Sequence, residues 1–518
     1  MSYTAWSGLL RGEALEALAM TTTYVTVAIP YVNAAPHLGY AYELVLADIH
    51  ARARRTAGDR VRFLGGTDDY SLKNVVAAEA AGVPTRTYVD GNAARFEALA
   101  GPLDLAFDDF VRTSADPRHR PAVERLWRAC LAAGDLYRRP YDGDYCVGCE
   151  RFYAPDELAR GRCPEHGTPT ERVAEENWFF RLSRYQEHIE DLIACDRLAV
   201  RPEPFRREVL AFVRRGLDDI SVSRSVARAR GWGIEVPGDP SQVVYVWFDA
   251  LTYYLSALRF GEPGSTDHGT WWTGADNRVH VVGKGILRFH AVYWPAFLAS
   301  AGEPPPTRIQ VHPYLTVGGA KLAKSSGTAV SPTDVVDAYG SDALRWWFAR
   351  EVGAVADTDF TPARLVVRAN DDLANALGNV TNRIVALVHR HRDGVVPAPR
   401  DRDGHPPGVV AVGHAGVEAQ VAAAIAEFDL RGAARLVVEA AAALNRDLEA
   451  TAPWRLSRDA GRAGELDRLL AGQVAAARTI ARAAAPIVPR LAARLLDQLG
   501  TAGRLPSPAP AFARLAEP

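Results

Sequence analysis

Three stretches of this 518-residue chain carry side chains whose types and spacing can do chemistry. The first is HLGY at 37–40, directly after the β-branched run 24–29. A strand emptying into a glycine-containing helix start is a site for anions, because unpaired N–H groups and the helix dipole point at whatever sits there. HxG alone also describes a helix that begins with a surface histidine. The second is GGAKLAKSSGT at 318–328, where Lys321 and Lys324 stand beside Ser325 and Ser326 between glycines. Such a loop suits a polyphosphate: ammonium groups neutralise charge that builds during transfer, and hydroxyls add hydrogen bonds. The third is Cys146-x2-Cys149-x13-Cys163-x2-His166, four N/S ligands at the spacing of one tetrahedral zinc knuckle. A closed set with no open position predicts one structural Zn²⁺.

Composition sharpens the second stretch. Of 60 basic residues only four are lysine: Lys73, Lys284, Lys321 and Lys324. A lysine is a compact point charge on a flexible stem, which a planar guanidinium does not reproduce. The four lysines are therefore candidates for positions where arginine does not fit.

A net charge of −2 and a pI near 6.7 exclude a whole-protein basic field, so nucleic-acid contact must be local. No run approaches ~18 consecutive apolar residues, so no membrane span is expected. The first 20 residues lack the basic and apolar regions of a secretory signal. Five cysteines, three of them clustered with a histidine, favour reduced thiols and metal over disulfides, which points to the cytoplasm. Cys130 and Cys195 lie in helical patterns and read as inert thiols.

These residues need a scaffold, and the length calls for roughly three domains. Runs at 24–30 and 61–67 read as buried parallel strands around a helix at 41–57, with Gly65-Gly66-Thr67-Asp68 ending the second. Strand-like runs return at 243–250, 278–284 and 308–317. The expected fold is α/β: a Rossmann-type parallel sheet split by an insertion that carries the knuckle, followed by a helical bundle. The boundaries are a tail at 1–22, the first Rossmann half at 23–137, and an insertion at 138–240 with its knuckle within 138–175. The second half with the lysine loop covers 241–365, and the helical domain 366–518, loosely ordered after 503. In that domain Asn375, Asn379 and Arg383 recur at i, i+4, i+8 on one helix face, which by itself describes a solvated stripe.

HLGY and KLAKS resemble the HIGH and KMSKS signatures of class I aminoacyl-tRNA synthetases. From about 24 to 500 the sequence resembles the methionyl-tRNA synthetase family, through AIPYVNAAPHLG, FLGGTDD, DISVSR, YVWFDALTYYL, RFHAVYWPAF, DALRWWFAREV and DLANALGNVTNR in order. The resemblance implies amino-acid adenylation with ATP and Mg²⁺ and transfer to tRNA. It implies that His37, Gly39, Tyr40, Lys321, Lys324 and Ser325 bind ATP, with His37 and both lysines catalytic. Asp68 would hold the amino acid's ammonium. Ile29, Tyr31, Trp247, Ala250, Tyr254, His290 and Tyr293 would line a methionine pocket, aromatic walls suiting a soft thioether. Without the resemblance, Trp247 and Tyr254 read as core aromatics. Asn379, Arg383 and Trp454 would read the anticodon.

The chain departs from the family pattern around the crevice. Tyr40 replaces the second histidine of HIGH, Tyr70-Ser71 replace His-Gly, Gly285 replaces an Asp, and Leu322-Ala323 replace Met-Ser. Two activities fit: a divergent methionine–tRNA ligase, or a related ligase passing the adenylated amino acid to a small hydroxylamine or hydroxyl acceptor. The second needs a separate partner enzyme.

Overall fold

The computed structural model describes residues 20–146, 151–153, 155–164, 167–321, 330–397, 416–501 and 503–516. Its centre is a six-stranded, wholly parallel sheet of β1 (Thr22–Val27), β2 (Arg60–Thr67), β3 (Asp109–Arg112), β4 (Ala199–Arg201), β5 (Asn277–Gly283) and β6 (Arg308–His312). The spatial order is β3-β2-β1-β5-β6-β4, so the winding reverses between β1 and β5. At such a switch point, loops leaving the two strands diverge and open a crevice beyond their carboxyl ends. β1 is buried along its length, as a strand covered on both faces must be.

The first βαβ unit runs through helix α1 (Leu38–Thr56), close to the expected boundaries. The run 243–250 departs from expectation: a strand ends at Val244, and helix α2 (Val246–Ser256) begins two residues later. This helix is buried on nearly every side, so its sequence is uniformly apolar and shows no period that would separate helix from strand. The run 308–317 breaks at Pro313 into β6 and a short strand, Leu315–Val317. The region 138–240 holds an antiparallel sheet built on Leu136–Cys146 and Glu171–Phe180, but it also sends β4 back to pair with β6.

The C-terminal helices include α3 (Ser341–Glu351), α4 (Asn379–Arg392), α5 (Leu430–Thr451) and α6 (Ala463–Ala484). One continuous apolar cluster joins α1 to them. Arg345 on α3 is fully buried; it pairs with Asp48 of α1 at 2.7 Å and donates to the carbonyls of Pro486 and Ile487. Residues 503–516 are not loose. Leu515 exchanges two hydrogen bonds with the Asn370 side chain, and Arg494 and Gln498 hold the Ala511 and Ala509 carbonyls. Polar side chains on the bundle supply the order that a Pro/Ala-rich sequence does not. Among the described residues no helix is long and apolar enough to cross a membrane.

Candidate active site

His37 is the N-cap of α1, in extended conformation, and its Nδ1 accepts from the Gly39 N–H at 3.1 Å and the Tyr40 N–H at 3.4 Å. With Nδ1 an acceptor, the neutral ring carries its proton on Nε2, leaving a donor directed away from the helix backbone. Gly39 permits this: a Cβ there would stand 3.0 Å from the imidazole. Val330 lies just beyond the lysine loop, and its carbonyl accepts from the Leu38 N–H at the same helix start.

The strand Leu315–Val317 turns at Gly318-Gly319, both at positive φ, and pairs antiparallel with Ala320–Lys321. Positive φ at both central residues is what a tight two-residue hairpin requires, and glycine adopts it without strain. Asp359 braces the turn, accepting from Thr316 Oγ1 and the Gly319 N–H. The hairpin fixes the backbone of Lys321. Lys324, Ser325 and Leu322-Ala323 lie outside the described residues, as do Cys149 and His166.

Beside the switch point, Ala28, Ile29, Trp247, Ala250, Leu251, Tyr254 and His290 line a cavity of about 200 Å³. Trp247 stacks on Phe289 with centroids 3.7 Å apart. A π-helical turn, Phe289–Tyr293, carries Phe289 onto Trp247 while directing His290 inward. His290 Nδ1 donates to the Ile286 carbonyl at 2.9 Å, so Nε2 accepts from the Tyr254 hydroxyl at 2.8 Å. Burial pulls the His290 imidazole down to about 4, which keeps it neutral. Tyr254 and His290 thus satisfy each other, while the buried Trp247 Nε1–H, the third polar group of the lining, has no partner among the described residues.

Asp68 is buried at the end of β2, bridged to Tyr31, whose ring lies 6.5 Å from that of Trp247. Asp69 beside it is structural, bonded to Thr67, Ser114 and the Thr113 hydroxyl. Tyr293 packs edge-on against Phe289, behind the cavity. Ala28 and Leu251 complete the wall and Phe289 backs Trp247, and nothing in the sequence separates these three from core residues.

The departures have local physical roles. The Tyr40 hydroxyl donates to the Gly66 carbonyl at 3.3 Å, and its ring meets Phe96 edge-on, so its one proton is committed to the sheet. Ser71 caps helix Leu72–Ala80 by accepting from the Lys73 N–H. The Lys73 ammonium lies 5.2 Å over the Tyr31 ring, and Lys284 pairs with Asp357 at 2.7 Å. Two of the scarce lysines therefore flank the crevice.

A Cβ built on Gly285 would land on the Tyr314 hydroxyl. The Tyr314 ring is clamped under the Lys284 ammonium at 4.7 Å, and its N–H is held by Asp357. Gly285→Ala is expected to cost about 1–3 kcal/mol through overpacking, and Tyr314→Phe in the same chain to recover most of it. Thermal denaturation of the two single variants and the double variant checks this; additive losses would show that the phenol steps aside freely.

In the helical domain Asn375 and Asn379 are exposed. Arg383 donates to Asn445 at 2.6 Å and pairs with Glu449, both on the last turns of α5. Trp454, half-buried, follows on the short helix Pro453–Leu456. The stripe and the tryptophan are thereby brought to one end of the bundle.

An anion-accepting helix start and an apolar pocket with an adjacent buried carboxylate, across the switch point of a parallel sheet, define a nucleotide-dependent α/β protein that takes an apolar amino acid. The family model "tRNA synthetases class I (M)" matches residues 23–175 and 166–385, and the chain belongs to that family. A methionine–tRNA ligase of Brucella suis is 37% identical over 516 residues, covering 95% of this chain and 98% of the relative. That of Mycobacterium bovis is 44% identical over 384 residues, 73% of each chain. Methionyl-tRNA synthetase of Mycobacterium tuberculosis in complex with methionyl-adenylate superposes with a TM-score of 0.89 at 36% identity, covering 96% of this chain and all of that one.

Proposed function

We propose that this chain is a methionine–tRNA ligase, joining methionine to ATP and passing it to the 3′ end of tRNA. The observation that carries the reading is the aromatic-walled pocket in which Tyr254 and His290 are hydrogen-bonded to each other, so that neither calls for a polar ligand. A thioether packs favourably against ring edges and needs no hydrogen-bond partner. Relatives named for tRNA ligation support tRNA as acceptor over a small hydroxylamine.

ATP enters as its Mg²⁺ complex. Asp68 holds the methionine ammonium, which places the carboxylate toward the start of α1. A carboxylate oxygen attacks the α-phosphorus in line, forming the acyl-phosphate bond as the bond to pyrophosphate breaks. The Nε2–H of His37 and the α1 N-terminus stabilise the α-phosphate, while Lys321 and Lys324 take up charge on the leaving pyrophosphate. A terminal ribose hydroxyl of tRNA then attacks the carbonyl, and AMP leaves. The setting is the cytoplasm. Pyrophosphate exchange tested with all twenty amino acids, followed by tRNA charging, decides the matter. Exchange with an amino acid other than methionine, and not with methionine, would overturn the substrate.

The same reading assigns Cys146, Cys149, Cys163 and His166 to one structural zinc. Cys146 and Cys163 are fully buried in one small cluster with Tyr153, apart from the two main cores. Such a cluster is too small to hold an insertion by apolar burial alone, and two thiols facing into it suit a soft cation. Elemental analysis is expected to find one zinc per chain. Cys163→Ser is expected to release it and destabilise the insertion while sparing adenylation.

A further inference from the structure

Behind the amino-acid pocket stands a ring that does not line it. His280, on β5, is fully buried, and its imidazole stacks on the Tyr254 ring with centroids 3.9 Å apart and planes 20° from parallel. Tyr254 belongs to the cavity wall, whereas His280 does not reach it.

His280 is in turn pinned at both ring nitrogens. The Trp294 indole N–H donates to its Nε2 at 3.2 Å, so the neutral ring carries its proton on Nδ1 and donates it to Thr26 Oγ1 at 2.6 Å. Thr26 passes its own proton to the Val279 carbonyl at 3.4 Å. Burial holds the His280 imidazole far below the ordinary histidine range, which keeps Nε2 an acceptor. Thr26 and His280 are register partners across β1 and β5, the two strands of the switch point, so their side chains share one face of the sheet. Thr26 and Trp294 are themselves fully buried.

Tyr254 is held just as firmly. Tyr24 of β1 donates its hydroxyl to the Tyr254 carbonyl at 2.9 Å, and the Tyr254 hydroxyl is bonded to His290. Backbone and phenol are fixed at opposite ends, and the His280 imidazole closes one face of the ring between them. In a close-packed interior a wall held in this way has no slack. A longer side chain entering the cavity would have to press Tyr254 onto His280, and His280 off two hydrogen bonds.

We propose that His280 is a positioning residue for amino-acid selection: through Tyr254 it sets the depth of the pocket, and so the longest thioether that the chain activates. The inference rests on the methionine reading above. Pyrophosphate exchange by the full-length chain, with methionine and with its S-ethyl homologue ethionine, tests it. The unmodified chain is expected to favour methionine. His280→Asn keeps a donor within reach of Thr26 but lacks the ring against Tyr254. It is expected to lower the methionine-to-ethionine ratio of kcat/KM about tenfold, the worth of one methylene, with the KM for ATP unchanged. His280→Phe keeps a ring against Tyr254 and gives up both hydrogen bonds, so it is expected to lower the melting temperature while holding the ratio. Trp294→Phe leaves His280 in place without one of its pins, and is expected to lower the ratio by a smaller factor.

An unchanged ratio in His280→Asn overturns the proposal. So does an equal fall in His280→Phe, which would trace selectivity to the hydrogen bonds and not to the stacked ring. A raised KM for ATP in His280→Asn also overturns it, because the whole crevice would then have been disturbed. Should His280→Asn fail to fold, the ratio in Trp294→Phe decides in its place. If the unmodified chain exchanges with another amino acid and not with methionine, the substrate reading itself fails, and this inference fails with it.

Discussion

Replacing His37 by alanine is expected to slow methionine-dependent pyrophosphate exchange by about 10²–10³-fold. The imidazole does two jobs that can be separated. Nδ1 caps α1 through the Gly39 and Tyr40 N–H groups, and the proton this leaves on Nε2 is the donor that the proposed mechanism offers to the α-phosphate. Loss of the cap costs about 1 kcal/mol of stability, which thermal denaturation registers as a modest shift. Loss of the donor falls on the transition state and lowers kcat. His37→Asn separates the two, because asparagine is a good cap whose shorter side chain cannot reach as far. It is expected to restore the melting temperature without restoring exchange. Recovery of both would make the histidine a helix cap and nothing more. Lys324→Ala is expected to resemble His37→Ala in rate, with no effect on stability.

Trp454→Ala should slow tRNA charging about tenfold to a hundredfold, the worth of one stacked base, while leaving pyrophosphate exchange untouched. The contacts of Arg383 explain why the effect should be confined to charging. Its guanidinium is held by Asn445 and Glu449 at the end of α5, the helix that leads directly into Trp454. Arg383 and Trp454 thus sit at the same end of the bundle, away from the crevice, and Arg383→Ala should show the same selectivity. The measurement is steady-state charging and exchange side by side. Equal losses in both would mean that the bundle acts through stability rather than through RNA contact.

Where chemistry imposes a residue type, the chain could be read in advance. The sheet strands β1, β2 and β5 and the helix start at His37 follow from burial and dipole and leave a local trace in composition, whereas the Gly318-Gly319 stretch read only as a loop and proves to be a hairpin turn. Other features leave none. The stretch 243–250 becomes helix because α2 is surrounded by core, and a helix apolar on all sides carries no period. Ala199–Arg201 is too short to announce that it completes the main sheet, since its partner β6 lies more than 100 residues away. The direction of the Tyr40 ring, inward to Gly66, is decided by space beside Phe96. The fit of Tyr314 over Gly285 likewise joins positions 29 residues apart. Side chains that meet only through the fold are visible only in the fold.

The Asp48–Arg345 pair bears on modularity. A domain that reads RNA is easily imagined as an accessory, gained or shed without disturbing the catalytic half. Here α1, the helix that presents His37, keeps a fully buried carboxylate at its middle, and the guanidinium beside it is itself oriented by the carbonyls of Pro486 and Ile487. Cutting the chain after α3 would leave Arg345 with Asp48 and the Leu103 carbonyl but strip the Pro486 and Ile487 carbonyls that also orient it. Cutting before α3 would remove that guanidinium and leave Asp48 to Arg52 and the Ala106 N–H alone. Neither break leaves an intact enzyme with an optional attachment. The half that carries His37 and the helical bundle are therefore expected to fold, and to fail, as one unit.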